Sequence, residues 1–201
     1  MKNETIRYYD RNADKFIENT RHVNFSDVQD RFLARIPAGG RILDFGCGAG
    51  RDTKAFLEKG YAVEAMDGSE ELCKAASAYT GIPVRHALFQ ELDETDKYDG
   101  IWACASVLHL SSSELPDVFR RMTRALKMGG VIYASFKYGD FEGERADRYF
   151  TDMTEEKMSA MLRKIPALQI REMWISVDVR PGRGDEKWLN LLAERVSTDE
   201  L

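Results

Sequence analysis

Residues 42–50 read ILDFGCGAG and place three glycines, Gly46, Gly48 and Gly50, directly after an apolar run. A turn by itself needs only one glycine. Because glycine lacks a Cβ, such a loop can adopt positive φ and let a ligand approach its backbone closely. A strand that leads through this kind of loop into a helix is a ligand-binding position in doubly wound α/β folds. The stretch therefore predicts both the fold class and the place of a binding site.

The spacing of the motif, Asp44-x-Gly46-x-Gly48-x-Gly50, differs from that of a dinucleotide site. The dinucleotide fingerprint G-x-G-x-x-G uses its third glycine to pack the helix closely beside a pyrophosphate. Here the bulky Arg51 stands at that position, and an acid precedes the first glycine by two residues, where it would repel phosphates. The pattern disfavours a nicotinamide-dependent oxidoreductase and favours a positively charged ligand without phosphates.

Strand-like and helix-like segments alternate with short links over residues 41–136. This alternation predicts parallel strands with helices on both faces of the sheet. Two later extended runs, joined by a loop with glycine and proline, predict an antiparallel pair. We therefore expect an α/β fold with a doubly wound, Rossmann-like sheet of seven strands, mostly parallel, with a C-terminal antiparallel hairpin and helices on both faces.

The length of 201 residues indicates one domain. Residues 4–20 carry apolar side chains at intervals of three and four, which predicts a single amphipathic helix. Residues 137–153 are polar, aromatic and irregular, and a helix is expected from about Thr154 to just before Pro166. The predicted segments are a helical flap, a ligand-binding core, a lid insert with its helix, and the hairpin: residues 1–38, 41–136, 137–168 and 169–201.

Composition and charge narrow the class of partner. The net charge is −5, and Lys and Arg are scattered among Asp and Glu, so no basic stripe indicates a nucleic acid partner. The longest apolar run, residues 101–108, is far too short for a membrane span, and the first twenty residues lack the apolar core of a signal peptide. Three widely spaced cysteines indicate neither a disulfide framework nor a zinc site. We expect a cytoplasmic protein with no metal and no membrane partner.

The motifs resemble those of class I S-adenosylmethionine-dependent methyltransferases. ILDFGCGAG is similar to the family's acid-x-Gly-x-Gly-x-Gly motif, and Asp67 ends the second predicted strand, 21 residues after Gly46. DGIWACASVLHL and MTRALKMGGVIYASF resemble the family's fourth strand with its loop and its helix, Gly-Gly and fifth-strand segment. The resemblance covers most of the chain and rests on the joint occurrence of these motifs in order.

The resemblance implies S-adenosyl-L-methionine as the cofactor and a set of residues that hold it. Asp67 would bind the ribose hydroxyls, because a carboxylate accepts two hydrogen bonds at once. Asp44 would hold the loop or meet the methionine ammonium, and Arg51 would reach the methionine carboxylate or remain a solvated first-turn residue. The cofactor-binding residues implied are Asp44, Gly46, Cys47, Gly48, Gly50, Arg51, Asp67, Gly68, Ser69, Phe89 and Ala105.

Recognition of adenine departs from the family pattern. Many members carry an acid after the third strand that receives the adenine amino group, whereas this chain reads ALFQE at residues 87–91. The resemblance then implies that Phe89 covers the ring face and that a backbone carbonyl takes the amino hydrogens.

Residues for the methyl acceptor are expected in the loop after the fourth strand and in the insert. His109, four residues past Ala105, is a candidate general base, or it only hydrogen-bonds within its loop. Tyr9 either closes over the cofactor or belongs to a packing stripe. The insert mixes aromatic rings with guanidinium groups, as a substrate lid would, or its acids pair with its arginines in solvent. The candidate substrate-binding residues are Tyr138, Arg145, Arg148 and Tyr149.

The function implied is methyl transfer to a small-molecule acceptor. Transfer from a sulfonium is an in-line displacement on an activated carbon, so the protein mainly positions the reactants and excludes water. Little of the chain lies outside the core, which favours a small acceptor. The alternatives are a methyltransferase acting on RNA or protein, and a non-catalytic module that binds S-adenosylmethionine.

Overall fold

The computed structural model describes residues 3–180 and 182–198. Its α-helices are α1 (Asn3–Arg11), α2 (Ala13–Thr20), α3 (Ser26–Leu33), α4 (Arg51–Glu58), α5 (Glu70–Thr80), α6 (Leu115–Ala125) and α7 (Glu155–Leu162). Its strands are β1 (Arg41–Phe45), β2 (Ala62–Asp67), β3 (Val84–His86), β4 (Tyr98–Ala103), β5 (Leu126–Lys137), β6 (Glu142–Arg145), β7 (Arg148–Thr151), β8 (Leu168–Val177) and β9 (Lys187–Arg195). The predicted segments 1–38 and 169–201 extend to residues 1, 2, 181 and 199–201, which lie outside the described residues.

Seven strands form one sheet in the order β3-β2-β1-β4-β5-β9-β8. The first five strands pair in parallel, and β9 pairs antiparallel with both β5 and β8. The predicted doubly wound sheet with its antiparallel C-terminal pair is therefore confirmed. The strand order reverses between β1 and β4, and such switch points are where open α/β sheets bind ligands.

Alternating side chains of the central strands build a separate core on each face of the sheet. Ile42 packs in a cluster with Phe32 of α3 and Phe56 of α4. Its neighbour Leu43 points the other way, into a larger cluster that includes side chains of α6 and α7. Successive residues of a strand face opposite sides, so burial on both faces explains why these strands are continuously apolar.

The N-terminal segment differs from the single predicted helix. It forms α1 and α2, separated at Asn12, where φ is −116°. The Asn12 side-chain amide donates to the Tyr8 carbonyl at 2.8 Å. Asparagine competes for backbone hydrogen bonds in this way, which makes it a helix breaker. The helix α3, within the predicted flap, packs against the sheet rather than over the cavity.

The insert is more regular than its sequence indicates. Strands β6 and β7 pair antiparallel as a separate two-stranded ribbon. Ala146 and Asp147 form the turn, with φ of 48° and 60°. Two successive residues with positive φ match the type I′ turn that suits the twist of a hairpin. The prediction of an irregular segment was wrong because each strand has only four residues and no clear apolar alternation.

Strand β3 is short. It ends at His86, and Phe89 begins a 3-10 turn instead of continuing the strand. None of the helices in the described part of the chain has the length and the apolar composition needed to cross a lipid bilayer.

Candidate active site

The glycine loop follows β1 at the switch point of the sheet. Gly46 and Gly48 have φ of 85° and 53°. A Cβ on Gly46 would lie 2.5 Å from the Ser106 Cβ, and one on Gly48 would lie 2.9 Å from the Phe16 ring. Both glycines also line a cavity. Glycine is therefore required here by the backbone conformation and by the protein groups that close over the loop.

Gly50 does not line this cavity, although the motif included it among the cofactor-binding residues. It precedes α4 with φ of 80°, and a Cβ there would lie 2.9 Å from the Thr80 side chain of α5. The third glycine of the motif thus allows α4 and α5 to pack closely.

Asp67 at the end of β2 holds the loop through both carboxylate oxygens. Its Oδ2 accepts from the Gly48 amide at 2.8 Å, and its Oδ1 accepts from the Ser69 amide at 2.9 Å. Burial raises its pKa, against the opposing effect of these amide hydrogen bonds. Each carboxylate oxygen has a second lone pair, and the side chain lines the cavity. Asp67 can therefore hold the loop and accept further hydrogen bonds from a ligand.

Asp44 lies beneath the loop and is only 2% exposed. The Thr53 hydroxyl donates to its Oδ2 at 2.6 Å. Burial, and then the neighbouring Asp52, raise its pKa to about 8. Without a cationic partner, this carboxyl is therefore protonated at pH 7.

Arg51 is not a solvated residue of the first helical turn. Its Nε and Nη2 donate to the two oxygens of Asp52, both at 2.8 Å. Asp52 also accepts from the Trp102 indole at 2.9 Å and from Gln29 at 2.7 Å. Arg51 still lines the cavity, but most of its charge is compensated by this buried network.

The remaining residues implied for the cofactor line the same cavity, namely Cys47, Gly68, Ser69, Phe89 and Ala105. Ser69 caps α5 by accepting from the Leu72 amide at 3.2 Å, and its hydroxyl donates to Asp10 of α1 at 2.6 Å. Phe89 is buried, with its ring centroid 4.7 Å from that of Phe45. Cofactor contacts by these residues stay predictions.

His109 also lines the cavity, in the loop after β4. Its Nδ1 is 2.6 Å from the Tyr149 carbonyl, and its Nε2 is 2.9 Å from the Tyr9 hydroxyl. A carbonyl can only accept, so Nδ1 carries the proton and Nε2 accepts from Tyr9. Burial, with a further contribution from the Arg148 charge, lowers its pKa to about 4. The imidazole is neutral at pH 7, and both of its nitrogens are engaged.

Strand β7 divides the predicted substrate-binding residues between its two sides. Arg148 and Phe150 face the cavity, together with Arg145 of β6. The intervening Tyr149 turns away, as the period of two requires, and its hydroxyl donates to Glu142 at 2.8 Å.

Tyr138 also lies outside the cavity. It follows β5 and is 36% exposed, and its hydroxyl hydrogen-bonds Glu155. The structure therefore brings together two of the four predicted residues and separates Tyr138 and the Tyr149 side chain from them.

Several cavity residues were missed by sequence reasoning. Phe16 covers Gly48, Ser106 packs against Gly46, and Lys137 ends β5. Asp178, after β8, accepts from the Trp188 indole at 3.1 Å and pairs with Arg180. Ser106 and Lys137 stand at the carboxyl ends of parallel strands, which is a usable signal. Phe16 and Asp178 reach the cavity only through the tertiary fold.

One cavity of about 410 Å³ joins most of the residues implied for the cofactor to His109, Arg145 and Arg148. Its lining includes the glycine loop, Asp67 and Ser69, together with side chains of the β6–β7 hairpin and the β8–β9 loop. Tyr9 and Phe16 of the two N-terminal helices lie across it, with ring centroids 5.2 Å apart. The arrangement has the size of a small-molecule site, for which about 300–1,000 Å³ is typical.

Comparison with known proteins agrees with this arrangement. A family model described as a methyltransferase domain matches residues 42–130. YqeM of Bacillus subtilis (strain 168), named as a methyltransferase, is 28% identical over 72% of this chain and 62% of its own length. The chain spans less than two thirds of the length of the curated relatives it matches.

Solved methyltransferases share the fold. The 1,6-didemethyltoxoflavin-N1-methyltransferase of Burkholderia thailandensis superposes with a TM-score of 0.76 at 22% identity, over 96% of this chain and 85% of its own. Magnesium protoporphyrin IX methyltransferase of Synechocystis PCC 6803 gives a TM-score of 0.72 at 16% identity, over 97% and 98% of the two chains. In its motif loop, its sheet and these matches, the chain is similar to class I S-adenosylmethionine-dependent methyltransferases, and residues 42–130 match a methyltransferase domain.

Proposed function

We propose that the protein transfers the methyl group of S-adenosylmethionine to a small-molecule acceptor. The observation that carries this proposal is that one cavity is lined both by the glycine loop and Asp67 and by basic and aromatic side chains of the hairpin and the β8–β9 loop. A protein that only stored a nucleoside would need no second compartment beside it. A methyltransferase needs both, because the acceptor must reach the donor inside one water-excluded space.

The loop end suits a cationic nucleoside without phosphates. Asp67 has no cationic partner among the described residues, and Asp44 is a buried carboxyl that a cation would ionise. We assign Asp67 to the ribose and Asp44 to the methionine ammonium. The solved relatives described above are reported with bound S-adenosylhomocysteine and S-adenosylmethionine, which supports this assignment.

When bound, the cofactor supplies a methyl group that is already activated by the sulfonium. The protein's own residues then have to orient the acceptor and exclude water. Tyr9 and Phe16 form an aromatic cover over this end of the sheet, and α1 is held there by the Ser69–Asp10 hydrogen bond. The cover has to open for exchange, because Phe16 lies directly against the loop.

We assign His109 a positioning role instead of general base catalysis. Its Nε2 is already used by Tyr9, and its pKa of about 4 makes it a weak base at neutral pH. Its two hydrogen bonds join the N-terminal helix to the hairpin. It therefore holds together two walls of the acceptor end, the part of the cavity lined by the hairpin and the β8–β9 loop.

The cavity favours a small molecule over RNA or protein. Side chains of α1, the hairpin and the β8–β9 loop together line its acceptor end. Most basic side chains that line it are paired with carboxylates, so they do not form the free basic surface that binds phosphates of RNA.

The test begins with calorimetric titration of S-adenosylmethionine and, in parallel, NADH. We expect micromolar or tighter binding of S-adenosylmethionine and much weaker binding of NADH. Tighter binding of NADH would refute the proposal at its first step.

Catalysis is tested next by screening pools of small molecules for release of S-adenosylhomocysteine. Release with one pool and none without an acceptor is expected. Binding without release across all pools, including RNA and protein fractions, would favour the non-catalytic module.

A further inference from the structure

The basic side chains that line the cavity differ in one respect: whether a carboxylate compensates their charge. Five of the six are paired, namely Arg51 with Asp52, Arg145 with Asp152, Arg180 with Asp178, and both Lys137 and Arg183 with Glu186. Arg148 is the sixth, and no carboxylate of the described residues pairs with it. Its positive charge is therefore left uncompensated at the acceptor end.

The Arg148 guanidinium is held by aromatic rings instead of acids. Its central carbon lies 4.6 Å from the ring centroid of Tyr8, 5.1 Å from that of Phe150 and 5.8 Å from that of Tyr9. Arginine stacks readily on such rings because its charge is delocalised over a planar group. The rings orient the guanidinium without neutralising it.

The hydrogen bonds of Arg148 are also incomplete. Nη1 approaches the Tyr9 hydroxyl at 3.4 Å, and the buried Nε–H has no acceptor among the described residues. An unsatisfied buried donor destabilises the protein. The edge formed by Nε and Nη2 is the one that pairs side-on with a planar carboxylate. An anion that reached this edge would supply the missing acceptor and the missing charge.

Arg148 lies within reach of the reaction space. The ring centroid of Tyr9 is 5.2 Å from that of Phe16, and Phe16 covers Gly48. The Tyr9 hydroxyl contacts Arg148. A group bound at Arg148 is thus separated from the glycine loop by two aromatic side chains, Tyr9 and Phe16. This distance suits the far end of a small acceptor whose other end meets the methyl donor.

We propose that the acceptor carries a carboxylate and that Arg148 recognises it, an inference that rests on the proposed function. A carboxylate fits better than a phosphate, because one uncompensated positive charge matches one negative charge while a phosphate dianion would need a second cation. The pairing engages both carboxylate oxygens, so the methylated atom lies elsewhere on the acceptor. Phe150, Tyr9 and Trp188 would contact its apolar part.

The test uses probes of one shape that differ in charge. Benzoate and benzamide are titrated against wild-type protein saturated with S-adenosylhomocysteine, and their binding is followed by ligand-observed NMR. We expect benzoate to bind at least tenfold more tightly, about 1.4 kcal/mol. Phenyl phosphate is the third probe and is expected to bind more weakly than benzoate.

The variant Arg148→Gln is expected to remove the preference for benzoate while it keeps its affinity for S-adenosylhomocysteine within about twofold. Arg148→Lys, which keeps the charge but not the planar fork, should retain part of the preference. The matched control is Arg120→Gln, an exposed arginine of α6 outside the cavity, which should behave as wild type.

Benzoate that does not bind, or binds no better than benzamide, would overturn the proposal, as would a preference that survives in Arg148→Gln. Tighter binding of phenyl phosphate than of benzoate would overturn the carboxylate proposal in favour of an acceptor that carries a phosphate. These outcomes are separate from those of the proposed function. If wild-type protein fails to bind S-adenosylhomocysteine, the methyltransferase proposal fails, and the benzoate comparison in its absence still tests Arg148.

Discussion

Gly46 and Gly81 both adopt left-handed backbone, with φ of 85° and 80°, but their surroundings differ. A Cβ on Gly81 would meet nothing within 4 Å, whereas one on Gly46 would collide with Ser106 and Phe89. We expect Gly81→Ala to lower the free energy of unfolding by about 1–2 kcal/mol through backbone strain alone. Gly46→Ala should lower the free energy of unfolding by about 1–3 kcal/mol more than this, through overpacking. It should also abolish cofactor binding. Urea denaturation measures the stability of both variants, and titration with S-adenosylmethionine measures their binding. Equal losses of stability in the two variants would contradict the prediction.

Asp44 connects cofactor binding to protonation. Its pKa of about 8 means that the ligand-free protein carries a proton there at pH 7, and a neighbouring ammonium would displace that proton. We expect binding at pH 7 to release close to one proton. Affinity should rise by up to about tenfold between pH 6 and pH 7, where the ligand amine remains charged. Calorimetry in buffers with different ionisation enthalpies counts the released proton.

The control for this prediction is Asp44→Asn, which cannot release a proton. The folded-state pKa of Asp44 lies above its ordinary value of 3.8, so the protonated carboxyl stabilises the fold. This stabilisation is complete below pH 3.8 and is lost as pH rises through about 8. The variant should therefore unfold at a higher temperature than wild type at pH 8 but bind the cofactor more weakly. Equal proton release in the two proteins would show that another group titrates.

At the scale of elements, alternation of strands and helices over residues 41–136 correctly predicted the parallel part of the sheet, because burial on both faces leaves long apolar runs. Local chemistry in the insert is less informative. Hairpin β6–β7 has short strands rich in charge, and its turn residues Ala146 and Asp147 are not the Asn-Gly that a type I′ turn favours. The hairpin forms because α1 and the His109 loop pack against it.

The turn of this hairpin carries strain that glycine would relieve. We expect Ala146→Gly to raise the free energy of unfolding by about 1 kcal/mol, because Ala146 has φ of 48°. In a protein of this size that is about 2–4 °C in Tm. The same substitution at Ala78, exposed within helix α5, should lower stability by about 0.5–1 kcal/mol. Changes of the same sign at both positions would refute the assignment of the turn.

At the scale of the whole molecule, His109 joins three distant segments. It contacts Tyr9 from α1 and the Tyr149 carbonyl from β7, 100 and 40 residues away. Burial lowers its pKa from 6.5 to about 4. Its contribution to stability is therefore full above pH 6.5 and is lost as pH falls through about 4.

We expect the free energy of unfolding of wild type to decline across that range more steeply than that of His109→Gln. His22→Gln, at an exposed position, is the control and should keep the wild-type slope. Denaturation midpoints between pH 4 and pH 7 measure the three slopes. Identical slopes for wild type and His109→Gln would mean that this histidine is not buried as described.

The sequence by itself determined the sheet, the glycine loop and the resemblance to methyltransferases, because these depend on local periodicity and on residues close together in the chain. It also predicted Asp44 and Asp67 as site residues, and both lie near the carboxyl ends of strands, at the cavity. Only the tertiary structure decided which side chains of the hairpin face the cavity, that His109 is engaged on both sides, and that no carboxylate in the described part of the chain pairs with Arg148. The reason is physical: the hydrogen bonds of His109 and Arg148 depend on Tyr9, which is 100 and 139 residues away in the sequence, so no local pattern brings it to them.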